Sequence, residues 1–203
     1  MDIVTTLPRA NQLTRADLDA MPDDGRRYEL IDGVIVVSAS PSTRHQDIVK
    51  CLAMLLHDAC PRELKVMIAP FDVALTASRV FEPDVLIARR ADLTEKDLPG
   101  PPLLAVEVLS PSTRWLDLGA KKQGLEDAGC PSYWVIDPGG GRIPPSLIAW
   151  ELLDGGYVEG GRATGGEAWE TARPVPVRSF RTTCSTTDGR VSPVTAGRSA
   201  APD

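Results

Sequence analysis

Leu103-Leu104-Ala105-Val106-Glu107-Val108-Leu109, followed by Ser110-Pro111-Ser112-Thr113 and a stretch carrying Arg114, Asp117, Lys121 and Lys122, decides how this chain is read. The apolar run is nearly continuous, which predicts a strand covered on both faces, as at the centre of a mixed sheet. A carboxylate inside such a strand is unusual, because burying an ionised group without a partner is costly. Glu107 must therefore be paired, protonated or metal-bound, and which of these holds bears directly on function.

Downstream, the pattern predicts a helix from about Trp115 or Asp117 to Ala128, closed by Gly129 in a left-handed cap with Pro131 beyond it. Gly124 inside this helix costs about 1 kcal/mol of propensity relative to Ala, so tertiary contacts must offset it. Tyr133–Ile136 is a further strand. Leu147–Leu153 and Tyr157–Ala163 form a hairpin around Asp154-Gly155-Gly156, and Trp169 to Val177 completes the patterned region.

Upstream, Leu64–Leu75 and Val80–Ala88 read as two strands. Pro83 lies within the second and cannot donate to a ladder, so it belongs at a bulge, an edge or a strand start; Asp84 follows it directly. Ser42 caps a helix running to about Ala59, with Ile48, Leu52, Leu55 and Ala59 on one stripe, widened by Val49 and Leu56. Tyr28–Ile31 and Val34–Val37 form a hairpin, since Asp32-Gly33 supplies the positive φ angles of a type I′ turn. Thr14 and Asp17 resemble a capping box for a short helix ended by Pro22.

At 203 residues, 42% hydrophobic and 25% charged, the chain suits one globular domain. The expected division is a loose lead-in over 1–13, a domain over 14–180, and a disordered tail over 181–203, where Ser, Thr, Gly, Arg and Pro lack periodicity. No apolar stretch approaches the roughly 20 residues that span a bilayer, and the N-terminus lacks a basic segment followed by an apolar core. A soluble cytoplasmic protein with no membrane partner is expected. The four cysteines include no CxxC pair and the chain has two histidines, which argues for free thiols over a disulfide framework or a zinc site. Net charge is −6, and −7 over residues 1–180, because 181–203 carry three Arg against two Asp. Nonspecific nucleic-acid binding through the overall field is thereby excluded, and any DNA contact must be local.

Side chains alternate along a strand, so Glu107 and Leu109 share one face and Val106 and Val108 the other. Asp84 begins a neighbouring strand, and pairing the two would put two carboxylates on one side of the sheet. Such oxygens, with a backbone carbonyl and waters, suit Mg²⁺ or Mn²⁺. A metal there stabilises charge on a phosphate and lowers the pKa of an attacking water. Plainer readings stand beside this one: Asp84 as a turn residue, Glu107 bridged to Arg114, Glu29 facing solvent from the hairpin, Lys121 solvated like its neighbour Lys122, and His45 as a capping or packing residue.

The quoted stretches fall in a familiar order. They are Tyr28-Glu-Leu-Ile-Asp-Gly33, Ser40-Pro-Ser-Thr-Arg-His-Gln46, Glu82-Pro-Asp-Val85, Val106-Glu-Val-Leu-Ser-Pro-Ser-Thr113, Asp117 with Lys121, and Ala128-Gly-Cys-Pro-Ser-Tyr-Trp-Val-Ile-Asp-Pro138. Together they resemble the Uma-two family of the PD-(D/E)xK nuclease superfamily over about residues 14 to 178. Pro83-Asp84 matches the "PD" and Glu107, 23 residues on, the acidic second element. Leu109 stands where that superfamily's lysine is usual; in the Uma-two family the lysine has moved to the following helix, where Lys121 stands.

The resemblance implies an α/β restriction-endonuclease-like core, a mixed β-sheet flanked by helices, acting on DNA with Mg²⁺ or Mn²⁺. It further implies that Asp84 and Glu107 are catalytic metal ligands with the Val108 carbonyl as a third, and that Lys121 is the catalytic lysine. Glu29 would complete the metal shell, with His45, Arg114 and Asp117 as accessory residues; the plainer reading of the last two is an ion pair between Arg114 and Asp117 near the helix start. A homodimer fits cutting of both strands. The chain departs from the family's pattern at Leu125, where a tyrosine is common, and at Gly124, Cys130 and Ser132. Two other functions compete: a non-catalytic module of the same fold that binds nucleic acid or a protein, and a hydrolase of another phosphoester.

Overall fold

The structure, a computed structural model, describes residues 5–6 and 12–180. The first half runs β1 (Thr5–Thr6), α1 (Arg15–Asp19), β2 (Arg27–Ile31), β3 (Val34–Ser38), α2 (Thr43–Ala59), β4 (Leu64–Ile68), β5 (Asp72–Thr76), β6 (Arg79–Phe81) and β7 (Val85–Arg89). There follow β8 (Asp97–Leu98), β9 (Leu104–Val108), α3 (Arg114–Leu118), α4 (Ala120–Asp127), β10 (Ser132–Asp137), β11 (Ser146–Leu153), β12 (Gly156–Thr164), β13 (Trp169–Thr171) and β14 (Val177–Phe180). The expected tail over 181–203 lies outside the described residues, as do 1–4 and 7–11 of the expected lead-in; Thr5 and Thr6 pair with β3.

Two six-stranded sheets dominate the architecture, ordered β1-β3-β2-β6-β5-β8 and β12-β11-β10-β9-β7-β4, and β13 pairs with β14 in a separate two-stranded sheet. Both six-stranded sheets are mixed: β9 runs parallel to β10 and antiparallel to β7, and β5 runs parallel to β8 and antiparallel to β6. The expected α/β core is therefore observed, with β9 in the interior of its sheet and every one of its residues buried.

Local sequence accounts for several elements. Asp32 and Gly33 adopt φ of 50° and 78°, the left-handed pair that a two-residue hairpin turn requires, and Ile31 pairs with Val34 across it. The Ser42 side chain accepts the His45 N–H at 3.2 Å and starts α2, which buries Ile48, Val49, Leu52 and Leu56. The Asp17 carboxylate accepts the Thr14 N–H at 2.9 Å, the return half of the capping box.

Two expectations need correction. The strands expected over 64–75 and 80–88 are each broken, and their halves belong to different sheets: β4 pairs with β7 and β5 with β6. The breaks fall at Pro70 and Pro83, residues that cannot donate to a ladder. Asp84 thus sits where the chain passes from one sheet into the other. The helix expected over 115–128 is likewise two helices, parted at Gly119, where a Cβ would stand 2.7 Å from the Trp115 carbonyl oxygen. Gly124 has its own reason: a Cβ there would lie 2.7 Å from Cζ of buried Phe81, so the missing side chain is what lets α4 approach the sheet.

The alternation of β9 is as expected. Leu104, Val106 and Val108 pack with Ile48, Leu52 and Leu56 of α2. Ala105 and Leu109, flanking Glu107 on its own face, pack with Ile31 and Val36 of the other sheet and Leu125 of α4. Glu107 therefore points into the layer where both sheets and α4 meet. Cys60 and Cys130 are free, as expected for them. Among the described residues no helix is long and apolar enough to cross a membrane.

Candidate active site

The ladder between β7 and β9 pairs Val85 with Val106 and Leu86 with Ala105, so one further step sets Asp84 directly across from Glu107. Both are buried. Asp84 Oδ2 accepts the Val108 N–H at 2.8 Å, and Oδ1 lies 2.9 Å from Arg27 Nη1 and 3.3 Å from His45 Nε2. Three elements thus hold this carboxylate: the backbone of β9, the start of β2 and the first turn of α2. Burial works to raise the Asp84 pKa, but the hydrogen bond to His45 and the charge of Arg27 outweigh it and hold the carboxyl well below its ordinary value.

Lys121 enters from α4. Its Nζ lies 2.5 Å from Glu107 Oε1, 2.8 Å from Glu29 Oε1 and 3.6 Å from Asp117 Oδ1, and the residue is 2% exposed. Burial opposes its charge, yet Glu107, Glu29 and Asp117 together keep the ammonium protonated far above its ordinary range. Glu29 accepts the Glu82 N–H at 2.8 Å through the oxygen that also meets Lys121. Burial pushes Glu29 up, but Lys121 and Arg27 bring it below its ordinary value. Glu107 goes the other way: burial raises it well above the carboxylate range, and nearby Asp117 and Asp84 add to the rise against the pull of Lys121.

Six of the expected residues converge: Asp84, Glu107, Lys121, Glu29, Asp117 and His45. Lys121 is not a solvated helix lysine, and Glu29 does not face solvent. Val108 joins the cluster through its N–H, which donates to Asp84 Oδ2 at 2.8 Å. Arg114 does not join the cluster. Its half-exposed side chain pairs with Asp137, while Asp117 Oδ2 accepts the Thr113 hydroxyl at 2.9 Å, so the expected Arg114–Asp117 and Arg114–Glu107 pairings are both replaced.

Two members of the cluster were missed in sequence, Arg27 and Glu82. Arg27 Nε lies 3.2 Å from Glu82 Oε2, its Nη2 is 3.6 Å from Glu29 Oε2 and 4.0 Å from Glu107 Oε2, and Nη2 also donates to the Glu82 carbonyl. The signal was period two: Arg27 shares a strand face with Glu29, and Glu82 and Asp84 flank Pro83. Burial raises the Glu82 carboxyl to about 7, with Arg27 opposing the rise.

Residues 15–176 match the model of the Uma2 family, described as "Putative restriction endonuclease". The chain belongs to the Uma2 family. Among solved structures it is similar to a "putative nuclease belonging to DUF820" from Anabaena variabilis, with a TM-score of 0.61 at 14% identity, covering 80% of this chain and 89% of the other. That likeness concerns the fold. No curated protein matches the sequence.

For a Uma2 protein the remaining question about this site is whether it suits a divalent cation. Among the described residues, no group of three or more His, Cys, Asp and Glu side chains is arranged to hold a metal ion. Glu29, expected to complete a metal shell, is instead engaged by Lys121 and the Glu82 N–H. The two carboxylates facing each other across the ladder nonetheless have the right donor chemistry, since hard oxygens are what Mg²⁺ takes while keeping several waters. Glu107 Oε1 is engaged by Lys121 Nζ at 2.5 Å, whereas among the described ion pairs Oε2 meets only Arg27 Nη2, at 4.0 Å, and Oε2 is the oxygen that supports the fit. Asp84 and Glu107 therefore fit the group as a two-carboxylate site.

Proposed function

We propose that this Uma2 protein is a Mg²⁺- or Mn²⁺-dependent endonuclease that hydrolyses phosphodiester bonds of DNA by attack of an activated water. The observation that carries this reading is the seating of Lys121, buried against Glu107 at 2.5 Å, with Asp84 opposite Glu107 on the next strand. Asp84 and Glu107 would hold the cation. When bound, such an ion stabilises charge on the phosphate and lowers the pKa of a water. Lys121 supplies a fixed positive charge where negative charge develops, an arrangement that requires no reorganisation during the reaction. Glu29 and Asp117 aim that ammonium from two further sides, and His45 and the Val108 N–H orient Asp84. In the hydrolysis the water oxygen bonds to phosphorus, one P–O bond breaks, and the leaving oxygen takes a proton.

A second reading is favoured by one specific observation: Arg27 and Lys121 already compensate the buried carboxylates. A module of this fold that binds nucleic acid or a protein without cutting would have that property too. Purified protein with Mg²⁺ or Mn²⁺, incubated with supercoiled, linear and single-stranded DNA beside Asp84→Ala and Lys121→Ala, separates the two. Cleavage lost in both variants is expected. Cleavage that both variants retain removes the site assignment, and absence of both cleavage and metal binding selects the binding module. Cutting of both strands would be served by a homodimer, which analytical ultracentrifugation with and without DNA tests.

A further inference from the structure

Among the described ion pairs, Arg27 is the one cation that reaches both Asp84, at 2.9 Å, and Glu107, at 4.0 Å. The nitrogen nearest Glu107, Nη2, also lies 3.6 Å from Glu29 Oε2, and Nε faces Glu82 Oε2 at 3.2 Å. A divalent ion held by Asp84 and Glu107 would require these same oxygens and the space between them, and like charge forbids a guanidinium and a metal ion from sharing it. Arg27 is also the cation placed to leave. Its side chain is 23% exposed, against 5% for Asp84, 3% for Glu107 and 2% for Lys121. Its hold on Glu82 is imperfect, since Arg27 Nε and Glu82 Oε2 are both buried without a well-aligned hydrogen bond although 3.2 Å apart.

We infer that Arg27 occupies the divalent-cation position in the metal-free protein and that cation binding displaces its guanidinium from Asp84 and Glu107. This rests on the metal-dependent reading of the site proposed above. The physical advantage is that five buried carboxylates, Glu29, Glu82, Asp84, Glu107 and Asp117, would otherwise be left with Lys121 and His45 in the absence of metal. An internal counter-ion lets the chain fold without metal, and the cost is weaker metal affinity, because the ion must first displace it.

The test uses the full chain and MnCl₂ alone, without DNA, in titration calorimetry of wild type, Arg27→Met and Asp84→Asn, with melting temperatures recorded in parallel. Arg27→Met should bind Mn²⁺ at least about ten-fold more tightly than wild type, melt lower without metal and gain more from Mn²⁺, because a ligand bound by the native state alone stabilises it by an amount that grows with the logarithm of its affinity. Asp84→Asn should lose binding. Equal or weaker affinity in Arg27→Met, with binding still lost in Asp84→Asn, overturns the inference and leaves the metal site standing. Binding indifferent to Asp84→Asn, or absent from wild type and Arg27→Met alike, overturns both.

Should Arg27→Met fail to fold, wild-type protein decides the question by NMR during a MgCl₂ titration. The Arg27 Nε–H resonance is expected to shift together with the Val108 amide, whose N–H donates to Asp84. A Val108 amide that moves while Arg27 stays fixed removes the inference alone; if neither moves, the metal reading falls with it.

Discussion

Lys121 Nζ lies 2.5 Å from Glu107 Oε1, although 14 residues separate them and neither is more than 2% exposed. The contact joins α4 to the central strand, and Glu29 extends it to the second sheet. Removing one partner of a buried pair leaves the other uncompensated. Lys121→Met should therefore destabilise the fold by about 3–5 kcal/mol in urea unfolding, and adding Glu107→Gln should recover part of that loss. A loss below about 1 kcal/mol would mean that the pair does not hold α4 in place.

Gly124→Ala sets two effects against each other. Alanine gains about 1 kcal/mol of helix propensity. The new Cβ would stand 2.7 Å from Phe81 Cζ and 2.9 Å from Cε2, atoms of a ring with no exposed surface. Overpacking of a filled core costs about 1–3 kcal/mol, so net destabilisation is expected in thermal and urea melts. An alanine variant more stable than wild type would show that α4 has room to shift.

Cys130 supplies a pH dependence away from the carboxylate cluster. Burial pushes its thiol up to about 11. Above the unfolded value of about 8.5, the unfolded chain loses this proton while the native state keeps it, so stability falls as pH rises from there to about 11. Cys130→Ala should flatten that part of the curve by roughly 3 kcal/mol, measured as urea unfolding free energy at successive pH values. Parallel curves for variant and wild type would contradict the buried, protonated thiol.

Arg114 provides the control. Its side chain is 53% exposed and pairs with Asp137 rather than with the cluster. Arg114→Ala should change stability by less than about 1 kcal/mol, as for surface ion pairs, and leave metal-dependent cleavage intact. A large loss of cleavage would place Arg114 on the substrate.

Patterns that act over a few residues were readable in the chain. Asp32-Gly33 specified its hairpin because few other pairs accept two positive φ angles, and Ser42 marked the start of α2 because its hydroxyl satisfies a free N–H. The apolar run around Glu107 indicated a central strand, and Glu107 with Pro83-Asp84 and Lys121 marked the cluster. Arg27 was passed over because a strand-initial arginine next to Arg26 looks like surface; only the approach of β2 to the β7–β9 ladder gives it a carboxylate on every side. Arg114 was misplaced for the converse reason, since nearness in sequence to Asp117 suggested a pair that the orientation of α3 does not make.

Sequence alone determined the hairpin at Asp32-Gly33, the start of α2 at Ser42 and the central, alternating strand around Glu107, and it singled out Asp84, Glu107 and Lys121, because propensity, capping and alternation act within a few residues of each other. Tertiary structure decided that Pro70 and Pro83 divide two apparent strands between two sheets, that Gly124 seats α4 against Phe81, and that Lys121 rather than Lys122 meets Glu107. Those outcomes depend on which surfaces meet across the fold. The energy of a buried charge is settled only there, by the partners that other elements bring within a few ångströms.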